Sequence, residues 1–103
     1  MIKVSVFYAT GPGRRFDMHY YQSVHIPLVR RLCGAALKSV AVEKGLSGPT
    51  LGSAPTFLAL GHLVFESVET FQASFVPHWN EIVEDVPNYT DIQPVIQISE
   101  IMI

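Results

Sequence analysis

The sequence predicts an α+β fold in which four strands form one antiparallel sheet and two helices cover one of its faces. Three observations point there. The chain has 103 residues, enough for a single domain spanning 1–103. Two segments carry apolar residues at helical spacing, each behind a capping residue, and four others read as strands. The order is strand, helix, strand, strand, helix, strand, the split βαβ pattern of ferredoxin-like domains.

Ile2, Val4, Val6 and Tyr8 alternate with Lys3, Ser5 and Phe7, which is the period of a strand. Gly11-Pro12-Gly13 breaks it. Asp17 then caps a helix, with Phe16 in position to staple its first turn. Tyr21, Val24, His25, Leu28, Val29 and Leu32 share one face of that helix, Pro27 should kink it near His25, and Gly34 stops it. Leu37 to Leu46 reads as a second strand, and Ser47 to Pro55, rich in Gly, Pro and Ser, as a loop. Thr56 to Glu66 is a third strand, apolar at nearly every position, a pattern that predicts burial on both faces. Ser67 caps the second helix, on which Phe71, Phe75, His78 and Ile82 recur at helical spacing beside Trp79 and Val83. Pro77 interrupts that helix, Val86-Pro87-Asn88 ends it, and Pro94 to Ile103 is the last strand.

Composition narrows the partners. Hydrophobic residues make up 49% of the chain and charged residues 16%. So small a domain has a thin core, so this much apolar side chain predicts a face covered by a second copy. Two helices cover only one face of the sheet, and Phe7, Val95 and Ile101 put apolar side chains on the other, which makes the open face the expected homodimer interface. The net charge is -2, and only Arg14-Arg15 and Arg30-Arg31 pair basic residues, which excludes a nucleic-acid footprint. No apolar run approaches a membrane span, and the first residues lack the pattern of a signal peptide. With Cys33 as the single cysteine no intrachain disulfide forms, and a cytoplasmic location is expected.

Histidine carries the expected chemistry. His25 lies on the inward stripe two residues before Pro27, and its ordinary pKa of ~6.5 suits proton transfer. The competing reading is a buried ring tied to the backbone carbonyl that Pro27 frees. His78 follows as a second catalytic candidate on the inward stripe of its helix, against the reading of a helix-end histidine beside Pro77. His62 shares a strand face with Leu58, Leu60 and Val64. It joins His25 if that face meets the helices and lies at the interface if it meets the partner. Tyr21, Phe71, Phe75 and Trp79 are the candidate walls of an apolar ligand pocket, or else plain core. Asp17 and Asp91 read as cap and turn residues. The histidines stand too far apart in sequence, with no His-x-x-x-His spacing, to suggest a metal. No Gly-x-Gly-x-x-Gly, P-loop or flavin fingerprint occurs, so no cofactor is expected.

Three stretches together resemble the EthD family, named for ethyl tert-butyl ether degradation. They are Phe16-Asp17-Met18-His19-Tyr20-Tyr21 leading to His25-Ile26-Pro27-Leu28-Val29, then Gly61-His62-Leu63-Val64-Phe65 through Ser67-Val68-Glu69 and Phe71 to Pro77-His78, and Pro87-Asn88-Tyr89-Thr90-Asp91-Ile92 with Pro94 and Gln97-Ile98-Ser99-Glu100. The resemblance implies a dimeric α/β barrel closed by two ferredoxin-like sheets and a role in small-molecule catabolism. It carries His25 over as a functional position through His25-Ile26-Pro27-Leu28. Related small barrels include cofactor-independent monooxygenases and lactone isomerases, so oxidoreductase is the nominal class, with isomerase chemistry as an alternative. A non-catalytic binding or accessory protein for a hydrophobic catabolite is a further alternative.

Overall fold

The computed structural model describes residues 1–103. Its strands are β1 (Ile2–Ala9), β2 (Ser39–Lys44), β3 (Phe57–Phe65) and β4 (Val95–Glu100). They form one sheet in the order β2-β3-β1-β4, with every neighbouring pair antiparallel. This is the ferredoxin-like arrangement that the element order predicts, with β1 and β3 at the centre.

The first helix, α1, covers 18–33 in three consecutive pieces: α-helical Met18–Tyr20, π-helical Tyr21–His25 and α-helical Ile26–Cys33. The Asp17 carboxylate accepts from the Tyr20 amide at 3.0 Å and so caps its start. Pro27 cannot donate a backbone hydrogen bond and its ring crowds the preceding turn. The chain answers by widening that turn, and the Ile26 amide donates back to the Tyr21 carbonyl. The break expected near His25 is therefore a π turn rather than a bend. Gly34, at φ +62° and ψ -143°, takes a backbone conformation that only glycine adopts readily, and the helix ends there.

The second helix, α2, covers 68–88. Ser67 caps it, accepting from the Thr70 amide at 3.1 Å. Pro77 and Pro87 each tighten the chain into a 3-10 turn, Val76–His78 and Val86–Asn88, around α-helical Val68–Phe75 and Trp79–Asp85.

Register assigns the two faces of the sheet. Val4 stands opposite Leu63, Val6 opposite Gly61 and Tyr8 opposite Ala59, all toward the helices. Ser5 stands opposite His62 and Phe7 opposite Leu60, on the face that no helix covers. β3 alternates accordingly. Ala59, Gly61, Leu63 and Phe65 are buried, whereas Leu58, Leu60, His62 and Val64 are half-buried. The apolar run is thus buried on one face only, because the other face lacks a covering layer. β2 and β4 are shorter than the sequence suggests. Leu37 joins the core without entering β2, and Ile101 to Ile103 lie beyond β4.

The core has two parts. One gathers Ile2, Val4, Val29, Leu63, Phe65 and Phe71 with their neighbours. The other is largely aromatic, built on Tyr8, Tyr21 and Tyr89 with Ile26, Ala59 and Ile92. The helices stop short of β4, so Ile96 and Ile98 are exposed on the helix face, and Val95 is exposed on the open face.

Candidate functional site

His25 sits at the aromatic end of the core, on the last position of the π turn, and is 5% exposed. Its Nδ1 lies 2.9 Å from the Asp85 carboxylate, which α2 presents from its final α-helical position. The ring is thus tied to a carboxylate on the facing helix and not to the carbonyl that Pro27 frees. Asp85 is held by more than one donor. The Tyr20 hydroxyl donates to it at 2.6 Å and the Asn88 amide at 3.0 Å. An ionised carboxylate only accepts, so the neutral ring places its proton on Nδ1 and its lone pair on Nε2. Nε2 has no partner within the chain. Every fully buried side-chain nitrogen or oxygen has one, so Nε2 is not sealed away.

Electrostatics favour this neutral state. Burial pushes the His25 pKa below its usual value, and the opposing pull of Asp85 does not make up the difference. Burial alone would raise the Asp85 carboxyl, yet the hydrogen bonds from Tyr20, Asn88 and His25 together hold it below the usual range. At neutral pH the pair is a carboxylate and an uncharged imidazole.

Aromatic rings fix the imidazole plane. Tyr21, one wide turn earlier on α1, stacks on His25 with centroids 5.7 Å apart and planes at 16°. Tyr89 packs on the ring at 4.6 Å. The loop before α1 holds Tyr89 in place. The Asp17 amide donates to the Tyr89 carbonyl at 2.7 Å, Phe16 bridges to Thr90, and the Thr90 hydroxyl donates to the Arg15 carbonyl at 2.6 Å. The Tyr89 and Tyr8 hydroxyls bond each other at 2.8 Å. Burial, the largest influence, keeps all three phenols of Tyr8, Tyr21 and Tyr89 well above their usual pKa, so they serve as neutral donors.

A half-open cleft of about 410 Å³ adjoins this cluster, between β1, the second half of α2 and the 90–94 segment. Val6, Tyr8, Trp79, Ile82, Val86 and Ile96 are among its walls, and Asp91 is its one charged lining residue. Such a cleft, mainly apolar with few polar groups, has the character of a small-molecule site. Tyr8 and Thr90 are the buried hydroxyl residues on its wall, and the Thr90 hydroxyl is already donated to the Arg15 carbonyl. His25 is set back from the wall, with Tyr89 packed on its ring and bonded to Tyr8.

The remaining candidates separate. Phe75 and Trp79 wall the cleft, with rings 6.0 Å apart, whereas Phe71 packs into the other core against Phe65 at 5.2 Å. His78 is half-buried on the 3-10 turn and makes no side-chain hydrogen bond. His62 lies on the open sheet face, between the Ser5 hydroxyl at 3.3 Å and the Glu43 carboxylate at 3.2 Å. No three His, Cys, Asp or Glu side chains converge closely enough to hold a metal ion. Burial raises the Cys33 thiol to about 11, which keeps it protonated at neutral pH.

Sequence reading missed Asp85, Tyr8, Tyr89, Tyr20 and Asn88. Asp85 carried a signal: it falls three residues after Ile82, which puts an acid on the apolar stripe of α2 opposite a histidine on the apolar stripe of α1. Tyr89 carried none, because its place depends on backbone bonds to a loop more than 70 residues away.

The sheet order and the two helices on one face define a protomer of the dimeric α/β-barrel type. A Bordetella bronchiseptica protein assigned to the antibiotic biosynthesis monooxygenases shares this fold at TM-score 0.62 and 13% identity, covering 99% of this chain and 96% of that one. Residues 11–93 match the EthD domain, and the chain belongs to the EthD family. An EthD-like protein of Ralstonia eutropha JMP134 is 44% identical over 99% of this chain and 92% of its own, at TM-score 0.95. An ethyl tert-butyl ether degradation family protein of Bacillus halodurans C-125 superposes at TM-score 0.73 with 19% identity, over 99% of each chain. No curated protein matches the chain. No helix is long and apolar enough to cross a membrane.

The pair predicts a pH signature. His25 titrates lower when folded than when unfolded, so the unfolded chain binds more protons and stability falls as pH drops below about 6.5. Asp85 is also depressed, and its contribution is present above about 3.9 and lost as pH falls through that value toward its folded pKa. Denaturant melts between pH 7.5 and 5 should show a slope that His25→Gln flattens. In Asp85→Asn, the NMR titration midpoint of His25 should move lower still, because a group that favours the charged ring is gone.

Proposed function

We propose that the protein takes a small uncharged ring compound into the cleft and acts on it by proton transfer, with His25 as the base and Tyr8 as the hydrogen-bonding contact. One observation carries this reading: Asp85 holds the Nδ1 proton of a neutral, buried His25, which leaves Nε2 as a base. Membership of the EthD family supports a place in small-molecule catabolism. The apolar wall of Phe75, Trp79 and Ile82 supports an apolar ligand. The favoured reaction is oxidation by dioxygen without a cofactor. A CH2 of an electron-rich ring substrate loses a proton to His25, and the carbanion forms a C–O bond with dioxygen. Loss of water from the resulting hydroperoxide leaves a carbonyl, so one oxygen atom enters the product and the other becomes water. Isomerisation of a lactone begins with the same proton abstraction and stops short of oxygen.

The set-back position of His25 favours a second reading, a carrier or accessory protein that binds a hydrophobic catabolite without changing it. The two readings part on one measurement. 2-Tetralone is a neutral ring ketone with an acidic CH2, and Trp79, the single tryptophan, reports its binding by fluorescence. The enzyme should speed exchange of that CH2 with deuterated solvent, and His25→Gln should slow exchange roughly 10²-fold or more while affinity stays within about twofold. Binding without accelerated exchange favours the carrier.

Two copies of the chain are proposed to close through the open sheet face. Phe7, Leu58 and Leu60 are only half-buried on that face, and Val95, opposite Phe7 on β4, is 60% exposed there. Ile96, opposite Val6 on the helix face, lines the cleft at 44% exposure, so a partner that also wraps the β4 edge would finish the cleft wall. His62 would then be an interface residue. Sizing in solution at micromolar concentration should give a dimer, and a folded monomer would count against this arrangement.

A further inference from the structure

Gly61 stands in the middle of β3, a central strand, where glycine weakens the sheet by its backbone freedom and its missing side chain. Its backbone is not in the left-handed region, so no conformational need explains it. The space above it does. A Cβ at this position would run into the Tyr21 hydroxyl oxygen, far inside contact distance. The same Cβ would lie 3.4 Å from Cζ and 3.9 Å from Cε2 of that ring, both ordinary contacts. The conflict is therefore with one atom, the phenol oxygen.

We propose that Gly61 is a positioning residue: it opens the notch in the sheet that seats the Tyr21 hydroxyl and thereby sets the plane of His25. The chain of contacts is short. Tyr21 is 2% exposed and stacks nearly parallel on the imidazole, so a tilt of its ring is passed to His25. The hydroxyl in the notch lies beside that of Tyr8, whose ring meets Tyr21 edge-on at 5.5 Å and whose hydroxyl bonds Tyr89. Tyr21 is thus fixed at both ends, by the sheet at its hydroxyl and by the π turn at its backbone. Gly61 is half of a lock whose other half is the tyrosine oxygen.

This inference rests on the proposed role of His25, but its test reads the ring and not turnover. Gly61→Ala, Tyr21→Phe and the double variant are compared by thermal unfolding and by the NMR titration of His25. Overpacking of this kind typically costs enough to lower the melting temperature by roughly 5–20 °C in a domain of this size. Gly61→Ala should show that loss and a displaced His25 midpoint. The double variant should recover most of both, toward the values of Tyr21→Phe alone, because the phenylalanine ring leaves room for the methyl. A silent Gly61→Ala overturns the proposal. So does a double variant no more stable than Gly61→Ala, whether or not either folds well. A double variant that regains stability while its His25 midpoint stays displaced makes the notch mere packing and also overturns it. If 2-tetralone exchange proves unaffected by His25, the proposed function fails while these couplings stand or fall separately.

Discussion

The hydrogen bond between His25 and Asp85 joins the two helices at the point where each is broken by a proline. Asp85 precedes the 3-10 turn at Pro87, and His25 ends the π turn before Pro27. His25 is buried and the Asp85 side chain is 14% exposed, a setting in which an unpaired ionised carboxylate is costly. With Tyr20 and Asn88 completing the carboxylate's bonds, they form a polar network at the rim of the aromatic core, running from buried His25 out to exposed Asn88. Much of the local structure follows from keeping that network together. The wide turn aims Tyr21 and His25 inward as a stacked pair. The backbone bonds between 15–17 and 89–90 hold Tyr89 against the imidazole.

The two faces of the sheet divide the chemistry. The helix face carries the Asp85–His25 pair, the tyrosines and the cleft. The open face carries a polar row, Ser5, His62 and Glu43, set among half-buried apolar side chains. β4 belongs to neither layer fully, because the helices stop short of it. Its exposed isoleucines, Ile96 and Ile98, face the helix side, where Ile96 lines the cleft, and Val95 faces the open side. In the proposed dimer, this one edge strand would adjoin both the cleft and the paired sheets.

The fold was legible because its signals are local. Strand alternation in β1, the caps at Asp17 and Ser67, and the stop at Gly34 all follow from neighbouring residues, and each is present in the structure. His25 was legible as an inward histidine beside a proline. Its partner was not singled out, since the pairing of Asp85 with His25 joins residues 60 apart and depends on how two helices pack. Register decided the place of His62, and register is a property of pairing that alternation along one strand does not reveal. The expected burial of β3 on both faces overreached for a related reason. An apolar face shows that something is to cover it, not that the same chain does so.

Which nitrogen of His25 carries the proton decides whether the ring is a ready base. Nitrogen-15 chemical shifts and ring couplings of the histidine, measured near pH 7.5, distinguish the two tautomers and the charged ring directly. The predicted spectrum shows a neutral imidazole with the proton on Nδ1, donated to Asp85, and an unprotonated Nε2. A ring protonated on Nε2 alone, or one still charged at that pH, would contradict a base held ready by Asp85 and would leave the pair as a structural tie between the helices.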